Sequence, residues 1–148
     1  MPTLVARQLA FSRFMMALIF LVSGASKLFN FSDTLTLMQN AEIWMPSALL
    51  PLAIALELLG GFALAAGYRT RMTALLLAIY LVPVTFIFHA FWMNTGLARQ
   101  ESLIHFLKNT CIIGGLLSVS FQQKVLQAFT GGTLIQLRRE SFDRKKVA

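Results

Sequence analysis

Charged residues punctuate this chain rather than pervade it, and the stretches between them are long and apolar. Four such stretches stand out: residues 9–28, 49–66, 72–92 and 102–121. Each is close to the roughly 20 residues that a helix rising 1.5 Å per residue needs to cross a hydrocarbon core. The first carries Arg13 near its start and Lys27 near its end. The second is interrupted only by Glu57, the third contains no Asp, Glu, Lys or Arg, and the fourth includes His105 and Lys108. Lipid offers backbone polar groups no partner, so each segment must satisfy them internally, and the roughly ten-residue alternating strands of a membrane barrel are absent. The pattern predicts an all-α fold: a membrane-embedded four-helix bundle over residues 1–121, followed by a basic tail over 122–148. Pro83 falls inside the third span and is expected to kink it, freeing the Ile79 carbonyl. The longest connection is 29–47, and Trp44 and Trp92 suit a membrane–water interface.

Composition agrees. Of 148 residues, 57% are hydrophobic and 13% charged, against about 25% charged in ordinary soluble domains. A soluble domain of this size has too much surface for its volume to hide so much apolar material.

The net charge of +7 adds an orientation. Arg7, Arg13, the turn arginines Arg69 and Arg71, and Lys124, Arg138, Arg139, Arg144, Lys145 and Lys146 of the tail gather on one side. Arg99, Asp33, Glu42 and Glu101 lie on the other, beside the span-end Lys27. Basic loops stay cytoplasmic, so both termini are expected inside. Nucleic acid is not the partner this charge implies, because no basic stripe with interleaved aromatics occurs in a polar domain. The tail reads equally well as a solvated end or as a helix lying on anionic lipid. Arg7 and Arg13 followed by 14–22 and Ser23-Gly24-Ala25 also fit a cleavable signal peptide; retention is the expectation. The single Cys111 rules out an intrachain disulfide relay and suits a small packing residue.

Ionisable groups inside a span cost about 2.5–3.5 kcal/mol each on insertion scales, so they mark function or a pairing. Here they are Lys27, Glu57, His89, His105 and Lys108, joined by Asn109. With both ends inside, all six fall in the outer half of the membrane; Glu57 lies about 12 Å below residue 49. His105, Lys108 and Asn109 share one stripe of the fourth helix. Glu57 shares a stripe with Gly60 and Gly61, and Lys27 with Ser23 and Gly24, glycines that admit a neighbouring backbone. Gly114 and Gly115 are further candidates for helix packing. Inward-facing stripes would pair Glu57 with one or both lysines. A purely structural reading competes: Lys27 can snorkel along its stem, and the ion pair can simply fix helix register. A metal or haem between His89 and His105 is disfavoured by the neighbouring lysines and too few ligands.

Four motifs in order, Ser23-Gly24-Ala25-Ser26-Lys27-Leu28, Glu57-Leu58-Leu59-Gly60-Gly61, Gly67-Tyr68-Arg69-Thr70-Arg71 and His105-Phe106-Leu107-Lys108-Asn109, resemble the signature of the DoxX family of small bacterial membrane proteins. His89 also resembles a position often held by histidine there. The resemblance implies a four-helix bundle in the bacterial inner membrane. It also implies a link to redox complexes, among them a thiosulfate:quinone oxidoreductase, although this chain has no soluble domain for a sulfur substrate. Relatives in the wider superfamily act as cargo receptors or chaperone-like subunits.

Two functions of different class follow. One is a redox-linked, quinone-associated subunit: His105, Lys108 and Asn109 donate to the quinone oxygens, Glu57 moves a proton, and electrons come from a partner protein. The other is a non-enzymatic membrane scaffold or chaperone-like subunit. The residues signal no resident cofactor beyond a candidate quinone, and leave open whether the chain is itself an enzyme. A protein partner or a second copy is expected beside the lipid bilayer.

Overall fold

The computed structural model describes the backbone of residues 2–147 and the side chains of residues 4–122. Five α-helices and one 3₁₀ turn follow one another: α1 (Pro2–Phe29), α2 (Phe31–Asn40), α3 (Pro46–Ala66), α4 (Thr70–Phe88), the turn Phe91–Met93, and α5 (Gly96–Val147). No strand occurs among the described residues. Four segments, Leu4–Phe29, Pro46–Ala66, Thr70–Met93 and Gly96–Gln122, are long and apolar enough to cross a membrane. Their large side chains face outward as often as inward: Phe11, Phe62, Ile79 and Leu59 are all more than 60% exposed. That is the surface expected where lipid rather than water is the solvent.

The helices run antiparallel in two pairs, α1 on α3 and α4 on α5, with α3 against α4 joining the pairs. Gly24 of α1 faces Glu57 and Leu58 of α3, Leu21 faces Gly61, and Arg13 faces Gly67, so one helix descends as the other rises. Alanine and leucine form the shared core: Ala17 and Phe20 of α1, Leu64 of α3, Ala74, Leu77, Ala78 and Leu81 of α4, and Leu116 and Val119 of α5. Gly60 lies against Leu77, and Gly115 against Met16. A Cβ at Gly24 would sit 2.9 Å from Leu58 Cγ, so glycine is what permits that contact. Gly114 departs from the packing role expected of it, because nothing lies within 4 Å of its absent Cβ; it faces outward from α5, on the side away from the other helices.

Two connections have more structure than a plain loop. Ten residues of the long connection form α2, which seats Met38 on Leu50 and Ile54 of α3. The α3–α4 turn is closed by a Schellman arrangement: Gly67 takes φ +74°, its N–H donates to the Leu64 carbonyl, and the Tyr68 N–H donates to that of Ala63. Thr70 and Thr73 hydroxyls then donate to the carbonyls of Gly67 and Tyr68. Helix α4 continues through Pro83 to Phe88. At the other end of the chain α5 passes residue 121 without a break, and the side chains of the basic tail lie outside the described residues. The stretch that resembles a signal-peptide cleavage site is helical, since Gly24 and Ala25 lie inside α1, and Gly24 is packed against α3.

Candidate functional site

The α2 end of the bundle holds the polar residues, and there they separate into two groups. The first is a closed network. Near the end of α1, Lys27 Nζ donates to both carboxylate oxygens of Glu57 on α3 at 2.9 Å, and to the Ser23 hydroxyl one turn back on its own helix. Tyr80 of α4 donates its hydroxyl to Glu57 Oε1 at 2.8 Å. The Glu57 side chain is 4% exposed and that of Lys27 25%. Gly24 produces this geometry: without a side chain there, α1 closes on the Glu57 Cβ and brings Lys27, three residues on, over the carboxylate. An ammonium has three protons, and all three are accounted for by Ser23 and the two Glu57 oxygens. Three helices are thereby tied at one point.

The second group lies on the α4–α5 pair. His89, which caps α4, stacks on His105 of α5 with ring centroids 4.9 Å apart and planes 15° from parallel. Their ring nitrogens take no part in the side-chain hydrogen bonds formed among the described residues. An aromatic cluster lies at the same end of the α4–α5 pair. Phe106 makes edge contacts with Phe86 at 5.4 Å, Phe91 at 5.4 Å and Trp92 at 5.9 Å. Asn94 Nδ2 donates to Ser102 Oγ at 2.9 Å and pins the connecting loop to α5. Lys108 stands one turn beyond His105, exposed, and Asn109 beside it is half-buried. Nine residues separate His89 from Tyr80 along α4, about 13 Å of helix.

The structure thus brings Lys27 to Glu57 and His89 to His105, but not Lys108 to Glu57. Among the described residues Lys27–Glu57 is the one ion pair. The reason is azimuth: α5 packs on α4, which turns Lys108 away from α3. No group of three or more His, Cys, Asp or Glu suited to a metal occurs among the described residues. Tyr80 is the participant that sequence reasoning missed. Its signal was available, since it is the one tyrosine within the four apolar stretches and a buried hydroxyl needs a partner.

Comparison with known proteins supplies an independent line. The sequence model described as DoxX matches residues 8–90. The chain is 30% identical over 131 residues to the inner membrane protein YphA of Escherichia coli strain K12, an overlap of 88% of either protein. It is 33% identical over 106 residues to the inner membrane protein YqjF of the same organism, covering 72% of this chain and 76% of that one. No solved structure matches significantly.

Proposed function

The chain belongs to the DoxX family of integral membrane proteins, and from that footing we propose that it is a redox-linked subunit of the inner membrane that holds a quinone head group at the His89–His105 pair. One observation carries the reading: two parallel imidazoles whose ring nitrogens make no side-chain hydrogen bond among the described residues, on the same α4–α5 pair and at the same end as the cluster of Phe86, Phe91, Trp92 and Phe106. A quinone needs donors at its two carbonyl oxygens, flat apolar surfaces for its ring, and an open route for its isoprenoid tail. Each neutral imidazole carries one N–H donor and one acceptor nitrogen. The aromatic rings supply the flat surfaces, and the lipid-facing sides of α4 and α5 leave the tail in the bilayer. Lys108, one turn along α5, adds a cation that favours the reduced, partly anionic head group. Reduction to quinol takes two electrons and two protons. The electrons come from a partner redox protein, and the histidines exchange protons with the aqueous phase at that end.

Glu57 has no part in this reading. Its oxygens are engaged by Lys27 and Tyr80, so the first network serves as the fixed frame against which the α4–α5 pair is held. We also take both termini to be cytoplasmic, on the basic residues at the Gly67 end and in the tail, which sets the histidine pair toward the periplasmic face.

The same closed network favours a second reading, a non-enzymatic scaffold whose polar residues only clamp helices. Solvent extraction of gently purified protein separates the two. Quinone is expected in the extract of the wild type and not in that of His105→Leu. Extracts free of quinone from a folded, stable wild type favour the scaffold.

A further inference from the structure

At the opposite end of the bundle from both polar groups, one arginine finds no acceptor among the described residues. Arg13 lies on α1 at the level of the α3–α4 turn, and its guanidinium is packed on Gly67, where a Cβ would stand 3.1 Å from Nη2 and 3.6 Å from Nε. Nε is buried and has no hydrogen-bond partner among the described residues. The amide oxygen of Gln122 on α5 is likewise buried and unpartnered. Since Met16 faces Gly115 and α5 runs antiparallel to α1, Gln122 comes level with the turn of α1 that precedes Arg13. Oxygen and nitrogen of a glutamine amide exchange by rotation, so the same side chain can present its NH₂ instead.

Arginine cannot shed its charge to escape burial, because a guanidinium keeps its proton in proteins. An acceptor is therefore required, and the acids of the described segment are at the wrong end: Asp33, Glu42 and Glu101 lie at the α2 end, and Glu57 is committed to Lys27. Further cations surround the position instead. Arg69 and Arg71 are in the same turn and Arg7 is nearly two turns back on α1. Arg69 takes φ +41° and places its guanidinium 5.8 Å over the Tyr68 ring.

We propose that Arg13, with the Gly67–Arg71 turn, binds the phosphate of an anionic phospholipid head group. A planar guanidinium matches phosphate oxygens in a bidentate fork, and basic pockets between membrane helices at the interface are the usual seats of such head groups. The apolar neighbours decide between a lipid and a free phosphate. Phe11, Phe14, Tyr68 and Met72 are all exposed around this end, a surface along which acyl chains lie. Gly67 is a positioning residue here: its missing side chain leaves the space that the guanidinium occupies.

The test is the melting temperature of delipidated full-length protein in neutral detergent, titrated with phosphatidylglycerol, phosphatidylcholine or inorganic phosphate. Phosphatidylglycerol should give a saturable rise on the order of 5 °C, and the other two little or none. Arg13→Lys keeps the charge and the bundle but loses the fork, and should lose most of that rise; Arg7→Gln should keep it. Native mass spectrometry gives a readout independent of stability: phosphatidylglycerol retained by the wild type, and lost from Arg13→Lys and Gly67→Ala. An equal rise with inorganic phosphate would assign the site to a free anion and overturn the lipid. An equal rise with phosphatidylcholine, or an undiminished one in Arg13→Lys, would overturn the site.

Discussion

Tyr80 donates its hydroxyl to Glu57 Oε1 at 2.8 Å, on a carboxylate that Lys27 already grips through both oxygens. The acid thus receives two donors from other helices. Removing the hydroxyl leaves the ion pair in place and deletes one hydrogen bond to a charged group, which is worth about 1.5–3 kcal/mol. Tyr80→Phe should lower unfolding stability in detergent by that amount without altering helix content by circular dichroism.

Breaking the pair itself costs more, because a lone charge is left in a buried position. Glu57→Gln and Lys27→Met should each destabilise by about 3–5 kcal/mol, and the double variant by clearly less than their sum. Lys108→Met should be additive with Glu57→Gln, since the two side chains do not meet. Strict additivity in the Lys27 cycle, or coupling in the Lys108 cycle, contradicts the geometry.

The spans and the Lys27–Glu57 pair were legible in the sequence for one physical reason. In lipid, hydropathy fixes which segments cross and rise per residue fixes depth, so Lys27 and Glu57 could be set at neighbouring levels before any packing was known. Azimuth was not legible. Which way Lys108 points depends on α5 choosing α4 as its partner, a matter of side-chain fit that six polar positions do not encode. The same gap hid the contact of His89 with His105, which sequence put in the same layer but not ring to ring. Tyr80 passed as an apolar aromatic because its hydroxyl has no signature apart from the acid it meets. Helix α2 was read as connection because ten residues with a single buried side chain, Met38, give too short a periodic pattern. The redox assignment rested on the donor stripe of His105, Lys108 and Asn109, on Glu57 as the acid opposite it and on the resemblance; with Glu57 held by Lys27 and Tyr80, it stands as the proposal above.

Glycine substitutions should separate packed from open positions. Gly24→Ala places a methyl 2.9 Å from Leu58 Cγ and 3.1 Å from Glu57 Cβ, an overpacking that typically costs about 1–3 kcal/mol. Gly114→Ala meets nothing within 4 Å and should be neutral or slightly stabilising. Paired thermal melts of the two variants check this.

Orientation is open to a labelling experiment. In a Cys111→Ser background, a thiol introduced at Asp33 should react with a membrane-impermeant maleimide added to intact cells, and one at Arg69 should react only after lysis. The reverse pattern would invert the bundle and turn the histidine pair toward the cytoplasm.

The central claim is that a quinone head group sits at His89 and His105, and photolabelling tests it most directly. Protein in lipid nanodiscs is irradiated with an azidoquinone, with and without excess unlabelled quinone, and the modified peptides are mapped. The account predicts saturable, competed labelling confined to the segment from Phe86 to Lys108, and its loss in His105→Leu. Labelling that is not competed, or that falls on α1 and α3 and survives His105→Leu, would contradict it.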